Sequence, residues 1–182
     1  MIDAYVGLGS NLGDRTGNLR SAVFRLDREP GFRVLSVSRA WDTTPVGPPQ
    51  PRFLNAAVRL STLLSPRSTL RRLLDIEERL GRVRRERWGA RMIDVDLLLY
   101  GDRIVKEAAL EIPHPRMHER IFVLAPLAEI APSVVHPVCC RSIADLLAAL
   151  PGSEWQGLRP VASLEPHPVG DDSDDEPGPE AA

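Results

Sequence analysis

Hydrophobic residues recur along the chain with two different periods, and these periods predict its elements. Apolar and polar residues alternate in residues 4–10, 33–41, 54–64 and 93–100, which is typical of strands. Apolar residues three and four positions apart predict a helix after the first strand and another after the third. The residues expected to line the buried sides are Leu19, Ala22, Val23 and Leu26 in the first helix, and Leu70, Leu73, Leu74, Glu77 and Leu80 in the second.

Local signals place the helix ends. Asp14 or Thr16 is positioned to cap the first helix, and Ser65 before Pro66 starts the second, which Gly81 ends. The sequence also predicts a proline-rich surface loop over residues 42–53 and a hairpin turn at residues 101–102. After these it predicts a broken helix over residues 121–132, a short helix over residues 142–150 and an edge strand over residues 155–161.

The order strand, helix, strand, strand, helix, strand predicts the fold class. It indicates an α+β ferredoxin-like sandwich, with a mainly antiparallel sheet and helices on one face. We expect a single domain over residues 1–163. We expect an acidic disordered tail over residues 164–182, because that segment has too few apolar residues to fold.

Charge and composition indicate which kind of ligand and which cellular environment suit the protein. The net charge is −2, but seven acidic residues lie beyond residue 163, which leaves 18 acidic against 23 basic residues in the body. A basic body suits an anionic ligand. No apolar run is long enough for a membrane span, and the N-terminus does not resemble a signal peptide. The adjacent Cys139 and Cys140 are interpreted as reduced packing residues, and we expect a cytoplasmic monomer.

Two aspartates interrupt the apolar strand at residues 93–100. Side chains two apart share a face, so Asp94, Asp96 and Leu98 are expected on an open face of the sheet. The residues expected on the core face are Ile93, Val95, Leu97 and Leu99. Paired carboxylates repel each other, and Mg²⁺ with substrate phosphates would satisfy them. The alternative is two solvated carboxylates on an edge strand.

A cluster of arginines precedes these aspartates. Its members are Arg82, Arg84, Arg85, Arg87 and Arg91. Guanidinium groups grip phosphate oxygens, so the cluster favours a polyphosphate, with a solvated basic turn or nucleic-acid binding as alternatives. Trp88 within it either stacks on a planar ligand or anchors a lid.

Two other segments contain glycines or histidines of the kind found in ligand sites, and only the second supports such a site. Residues 7–15 lack the Gly-Lys-Ser/Thr of a phosphate loop, and their glycine spacing is not that of a dinucleotide fingerprint. His114 and His118 are four residues apart, but prolines around His114 argue against a continuous helix, so phosphate contact is favoured over zinc.

Four blocks of sequence resemble, in order, those of the 6-hydroxymethyl-7,8-dihydropterin pyrophosphokinase family. They read GLGSNLGDR, TTPVGPPQPRFLNAAV, IEERLGRVRRERWGARMIDVDLLLYG and IPHPRMHERIFVLAPLAEIAP. The resemblance implies a ferredoxin-like fold and transfer of pyrophosphate from ATP to the pterin hydroxymethyl group in folate biosynthesis. It also implies attack of the hydroxyl on the β-phosphorus, with AMP leaving.

The same resemblance implies roles for individual residues. Asp94 and Asp96 match the aspartates that bind two Mg²⁺ ions, and Arg82 and Arg91 match catalytic arginines that contact phosphates. The positions that match the ATP site are Glu77, Arg84, Arg91, His114 and Arg120. The positions that match the pterin site are Thr43, Val46, Phe53, Asn55, Trp88, Asp94 and Phe122.

Some positions depart from the family pattern. Phe53, Leu74, Ala109 and Pro115 stand where a tyrosine, a glutamine, an arginine and an aromatic residue are expected, and the loop before Trp88 is about one residue shorter. Two rival hypotheses remain. One is a non-catalytic RNA-binding module of the same topology, although the aspartates would repel a phosphate backbone. The other is a relative that binds ATP and pterin without turnover.

Overall fold

Six antiparallel strands form the main sheet of the computed structural model, which describes residues 1–45, 47–81 and 90–164. The strands are β1 (Ile2–Ser10), β2 (Phe32–Val37), β3 (Ala40–Thr43), β4 (Phe53–Thr62), β5 (Asp94–Tyr100) and β10 (Arg159–Ala162). Their order is β10-β3-β4-β1-β5, and β2 pairs with β4 beside β3. The predicted mainly antiparallel sheet is confirmed.

Four helices and two small hairpins complete the described fold. The helices are α1 (Arg15–Arg28), α2 (Pro66–Arg79), α3 (Ile121–Ile130) and α4 (Ile143–Ala148). The hairpins pair β6 (Val105–Glu107) with β7 (Leu110–Ile112), and β8 (Val135–His136) with β9 (Arg141–Ser142). Short 3-10 helices span Met117–Glu119 and Gly152–Trp155. No helix among the described residues is long and apolar enough to cross a bilayer.

The ends of α1 and α2 follow from the predicted local signals. The Asp14 carboxylate accepts a hydrogen bond from the Gly17 N–H at 2.9 Å, and the Ser65 hydroxyl accepts one from the Ser68 N–H at 3.2 Å. Gly81 follows the end of α2 with a φ of +87°, a conformation that favours glycine. The four residues predicted to line the buried side of α1 are all buried. In α2 the buried residues are Thr69, Leu73, Ile76 and Glu77.

The sheet separates two hydrophobic cores. The first core lies between the sheet and the helices α1 and α2, which the ferredoxin-like pattern places on one face. The second core joins Tyr5, Ala57 and Leu98 of the sheet to residues of α3 and α4. The later helices therefore cover part of the face that the sequence left open, and the candidate site occupies the remainder of that face.

A bulge in β5 overturns one predicted orientation. Asp94 to Leu97 pair regularly with β1, and Val95 and Leu97 pack in the first core as predicted. The register then shifts, so that Leu99 pairs with Tyr5 and Leu98 is the extra residue. Leu98 and Leu99 both pack in the second core, so the expectation that Leu99 lies on the core face beside Leu97 is wrong.

Two other predicted elements differ from the structure. Residues 33–41 form parts of two strands, and Leu35 is 42% exposed because the β2–β4 register shifts between Val34 and Ser36. The turn predicted at Gly101 is present, with the Arg103 N–H donating to the Tyr100 carbonyl at 3.1 Å. The hairpin pairing predicted with it is wrong, because β6 pairs with β7 and not with β5. The helix predicted as broken is continuous through Pro126.

The predicted tail begins at Leu164, which is buried in the first core. Residues 165–182 lie outside the described residues, so the domain boundary and the acidic tail stay predictions.

Candidate active site

A row of four residues crosses the sheet on the face opposite α1 and α2. Trp41 on β3 pairs with Asn55 on β4, Asn55 with Gly9 on β1, and Gly9 with Asp94 on β5. Residues directly opposite each other on antiparallel strands share a face. Phe53 lies two positions from Asn55 and therefore on the same face. The topology thus brings together Phe53, Asn55 and Asp94, three residues predicted for the pterin site, from two distant parts of the chain.

Gly9 forms the floor of a small cradle in this row. A Cβ atom at Gly9 would lie 3.0 Å from Asn55 Oδ1, and 3.9 Å from both Asp94 Cβ and Phe53 Cδ1. Asn55 Nδ2 donates to the Thr43 hydroxyl at 2.7 Å, and both side chains are buried. This bond fixes the carboxamide, so that the Asn55 carbonyl oxygen faces the cradle. The cradle therefore offers an acceptor, an aromatic edge and a carboxylate around open space.

The two strand aspartates lie at one end of the described sheet. Asp94 and Asp96 are both partly exposed and share the face of the cradle. Glycines stand opposite them on β1, Gly9 facing Asp94 and Gly7 facing Asp96. Two carboxylates two residues apart on one strand, with open space beside them, are donors that suit Mg²⁺ when phosphates and water complete its shell. The residues present therefore fit the predicted metal.

Arg91 contacts the first of these carboxylates. Its Nη1 lies 2.8 Å from Asp94 Oδ2, and the two side chains are 27% and 22% exposed. The pair places a guanidinium at the edge of the carboxylate site, where it would also meet the phosphates of a bound nucleotide.

Asn11 joins three segments of the site and was missed by the sequence analysis. Its Oδ1 accepts from the Arg91 N–H at 2.8 Å, and its own N–H donates to the Arg91 carbonyl at 3.1 Å. Its Nδ2 donates to Gln50 Oε1 at 3.0 Å and to the Pro51 carbonyl at 3.2 Å. Asn11 is buried. The one signal for it was an asparagine directly after the first strand, in a segment considered only as a phosphate loop.

Glu77 is buried on α2 and supports β5 from behind. Its Oε1 accepts from the Val95 N–H at 2.6 Å, between the two aspartates. This contact fixes the backbone that carries both carboxylates, a positioning role that the sequence did not indicate. Its predicted role in nucleotide binding stays a prediction.

A cavity of about 310 Å³ lies beside Asp96 and is bordered by Leu70 of α2. Leu70 of α2, Asp96 of β5 and His114 contribute to its lining, together with residues 107–111. The His114 N–H donates to the Leu98 carbonyl at 2.8 Å, which ties this segment to β5. The lining mixes apolar residues with three carboxylates, those of Asp96, Glu107 and Glu111, so a nucleotide would need bound cations to occupy the cavity.

Burial lowers the pKa of His114, and the Arg120 guanidinium lowers it further, while Asp94 and Glu111 act in the opposite direction. The imidazole is therefore neutral at pH 7 and can accept as well as donate a hydrogen bond. Arg120 lies 5.7 Å from the centre of the Phe122 ring, a cation–π distance. The structure thus brings His114, Arg120 and Asp94 into one electrostatic environment.

Four predicted site residues lie outside the described residues. They are Val46, Arg82, Arg84 and Trp88, and their roles stay predictions.

A second cluster lies away from this site. Among the described residues, His118, His136 and Cys139 offer ligand atoms within 4.8 Å of one another. However, His136 Nδ1 accepts hydrogen bonds from the N–H groups of Val138 and Cys139 at 3.3 and 3.1 Å. The proton of the neutral ring is therefore on Nε2, where it would obstruct a cation. The geometry favours a packing role over zinc for Cys139, which packs against the second core, whereas Cys140 is exposed and its predicted packing role is wrong.

Comparison with known proteins gives a consistent family. The sequence model of 7,8-dihydro-6-hydroxymethylpterin-pyrophosphokinase (HPPK) matches residues 5–132. A 2-amino-4-hydroxy-6-hydroxymethyldihydropteridine pyrophosphokinase of Synechocystis is 44% identical over 170 residues, which cover 91% of this chain and 87% of the relative. The enzyme of that name from Bacillus subtilis is 48% identical over 132 residues, covering 72% and 79% of the two chains.

Solved structures agree with the fold. Plasmodium falciparum HPPK-DHPS wild type superposes with a TM-score of 0.64 at 15% identity, over 81% of this chain. The match spans 44% of that longer chain. The HPPK-DHPS in complex with substrates gives a TM-score of 0.66 at 13% identity, over 81% of this chain and 43% of the other. At these identities the similarity supports the ferredoxin-like fold alone.

Proposed function

The chain belongs to the 7,8-dihydro-6-hydroxymethylpterin-pyrophosphokinase family, and from this premise we propose its reaction. It transfers pyrophosphate from ATP to 6-hydroxymethyl-7,8-dihydropterin, giving the pterin diphosphate and AMP in folate biosynthesis. One observation carries the proposal beyond the family name. The row Asn55–Gly9–Asp94 ends at Asp94, which shares its face of β5 with Asp96, and Asp96 lines the cavity of about 310 Å³. The two ligand spaces therefore lie side by side, one at Asp94 and the other at Asp96.

The cradle is the proposed pterin site. A pterin carries N–H donors along one ring edge, and the fixed Asn55 carbonyl oxygen is an acceptor facing the cradle. Phe53 offers an aromatic surface for the bicyclic ring, and its missing hydroxyl leaves stacking intact. The absence of a side chain at Gly9 leaves room for the ring. Thr43, Val46, Trp88 and Phe122 are proposed as further pterin contacts.

The cavity beside Asp96 is the proposed nucleotide site. Leu70 and the 107–111 segment offer the apolar and backbone surface that an adenosine requires, and neutral His114 adds a polar contact. Arg120 and Arg84 are proposed to contact phosphate or ribose oxygens, and Glu77 supports the site through β5.

Asp94 and Asp96 would hold two Mg²⁺ ions, and ATP is the co-substrate. Bound Mg²⁺ would neutralise charge on the triphosphate and favour ionisation of the pterin hydroxyl. Asp94 borders the cradle and shares its face of β5 with Asp96, which lines the cavity, so Asp94 is placed to orient the hydroxymethyl group toward the phosphates. A bond forms between the hydroxyl oxygen and the β-phosphorus, the α–β bridging bond breaks, and AMP leaves with that bridging oxygen. Arg91, with Arg82, stabilises the developing negative charge.

The proposal includes a cytoplasmic monomer that binds neither nucleic acid nor membrane. A γ-phosphoryl kinase would need the same residues, so the choice of the β-phosphorus rests on the family. An RNA-binding role is disfavoured because Asp94 and Asp96 lie on the face where bases would stack.

The test is ATP consumption with and without 6-hydroxymethyl-7,8-dihydropterin, in Mg²⁺ and in excess chelator. We expect AMP only when both pterin and Mg²⁺ are present. AMP formation unaffected by chelator would contradict the metal assignment, and binding of both substrates without product would support the relative that lacks turnover.

A further inference from the structure

Arg52 stands where the proline-rich segment enters β4, directly before Phe53. Its guanidinium contacts three separate parts of the chain. Nε donates to Asp42 Oδ1 of β3, Nη1 donates to the Thr44 hydroxyl at 3.0 Å, and Nη2 donates to the Gly157 carbonyl. One side chain therefore joins the beginning of the proline-rich loop, its end, and the turn before the C-terminal strand β10.

The partners of Arg52 are closely packed. Asp42 is buried, and its second oxygen lies 3.9 Å from Nη2 of Arg159 on β10. Gly157 has a φ of +76°, and a Cβ atom there would lie 3.4 Å from the Thr44 hydroxyl and 3.5 Å from Arg52 Nη1. These distances are ordinary contacts, so it is the left-handed backbone of the turn, and not the space beside it, that favours glycine at position 157.

The loop end is also held from the opposite side. Arg15 Nη1, at the start of α1, donates to the Arg52 carbonyl at 2.9 Å. Arg52 is thus fixed through both its side chain and its backbone. The residues next to these contacts are cradle residues, because Thr43 lies between Asp42 and Thr44, and Phe53 follows Arg52.

We propose that Arg52 is a positioning residue for the pterin. Its side chain ties both ends of the proline-rich loop to the C-terminal turn at Gly157 and so holds the loop in place. This inference rests on the proposed function. An ordered loop binds its ligand more tightly, because the entropy of ordering is not lost on binding. The contacts of Arg52 lie at the β3–β4 end of the sheet, adjacent in sequence to the cradle residues Thr43 and Phe53, and none of them involves a residue that lines the cavity proposed for ATP. The effect is therefore specific for one substrate.

Steady-state kinetics test the proposal. Arg52→Ala raises the pterin KM about tenfold or more, as expected for loss of charge-assisted hydrogen bonds. The KM for ATP and kcat change less than about threefold. Arg52→Lys keeps the charge but cannot reach three partners at once, and it gives an intermediate pterin KM.

Arg59→Ala is the matched control. Arg59 lies on the same strand, its side chain is 39% exposed against 40% for Arg52, and it forms a two-bond ion pair with Asp3 away from the loop. It leaves the pterin KM unchanged. An unchanged pterin KM in Arg52→Ala, or equal increases in both KM values, would overturn the proposal, since a general loss of stability affects both substrates.

Amide hydrogen exchange tests the coupling without substrate. In Arg52→Ala, exchange accelerates at the amides of Gly47 and Gln50 in the proline-rich loop and also in residues 156–158, whereas Arg59→Ala leaves both segments unchanged. Acceleration in the loop alone would overturn the role of the C-terminal turn. If the wild-type chain made no pterin diphosphate, the proposed function would fail, and the exchange result would still decide whether Arg52 couples the two segments.

Discussion

Gly9→Ala is the single substitution that best tests whether the cradle is the pterin site. The added Cβ would lie 3.0 Å from Asn55 Oδ1, a few tenths of an ångström inside ordinary contact. Asn55 cannot move away easily, because it is buried and its Nδ2 is bonded to Thr43 at 2.7 Å. Overpacking of this size costs about 1–2 kcal/mol of unfolding free energy. The protein is therefore expected to fold.

The effect on ligand binding is larger. The new methyl group occupies the floor of the cradle, and the pterin loses its hydrogen bond to Asn55 together with ring contacts. A loss of about 2–3 kcal/mol corresponds to pterin binding weaker by about 30- to 150-fold. Isothermal titration with pterin and a non-hydrolysable ATP analogue measures this loss, and the affinity for the analogue alone stays unchanged.

Gly7→Ala provides the comparison within the same strand. A Cβ at Gly7 would meet only the flexible end of Leu98, at 3.3 Å, outside the cradle. This variant should cost a similar amount of stability and leave pterin binding intact. If Gly9→Ala bound pterin within twofold of the wild type, or if Gly7→Ala weakened it as much, the cradle would not be the pterin site.

Four other predictions concern separate features. Asp96→Asn lowers kcat by about 100-fold or more with an unchanged circular dichroism spectrum, and full activity in Mg²⁺ would refute the metal role. Asn11→Ala lowers the unfolding free energy by about 2–3 kcal/mol in urea denaturation, and a loss below about 0.5 kcal/mol would refute its bridging role. Burial and His118 lower the pKa of His136, so urea denaturation should show stability lost as pH falls below about 6.5. His136→Asn keeps an acceptor for the turn and should show a smaller loss; an equal loss would assign the effect to other groups. Deletion of residues 165–182 leaves kcat and both KM values nearly unchanged, and a large change would refute the disordered tail.

The sequence predicted the features that depend on neighbouring residues. Asp14, Ser65 and Gly81 act at helix ends through contacts within a few residues, so their types and positions were sufficient. The side-chain alternation of residues 94–97 likewise follows from strand geometry alone. Because Asp94 and Asp96 lie in this alternating stretch, their shared face could be predicted. The ligand roles of the site residues came from the resemblance to the family and stay predictions.

The features that escaped prediction depend on residues far apart in the sequence. The bulge that reorients Leu99 is a property of the β1–β5 pairing, and no local pattern marks it. Asn11 acts through partners 39 to 80 positions away, and Arg52 joins its near neighbours Asp42 and Thr44 to Gly157, which is 105 positions away. Both residue types are common in loops. The hairpin predicted at Gly101 failed for the same reason, because β7 competes as the partner of β6.

The most direct test of pyrophosphate transfer follows a phosphorus label from ATP into the products. With ATP labelled at the γ-phosphorus, we expect label in the pterin product, with unlabelled AMP formed in an equal amount. With ATP labelled at the α-phosphorus, all label should leave in AMP. Labelled pterin monophosphate together with ADP would contradict transfer at the β-phosphorus and make the chain an ordinary kinase.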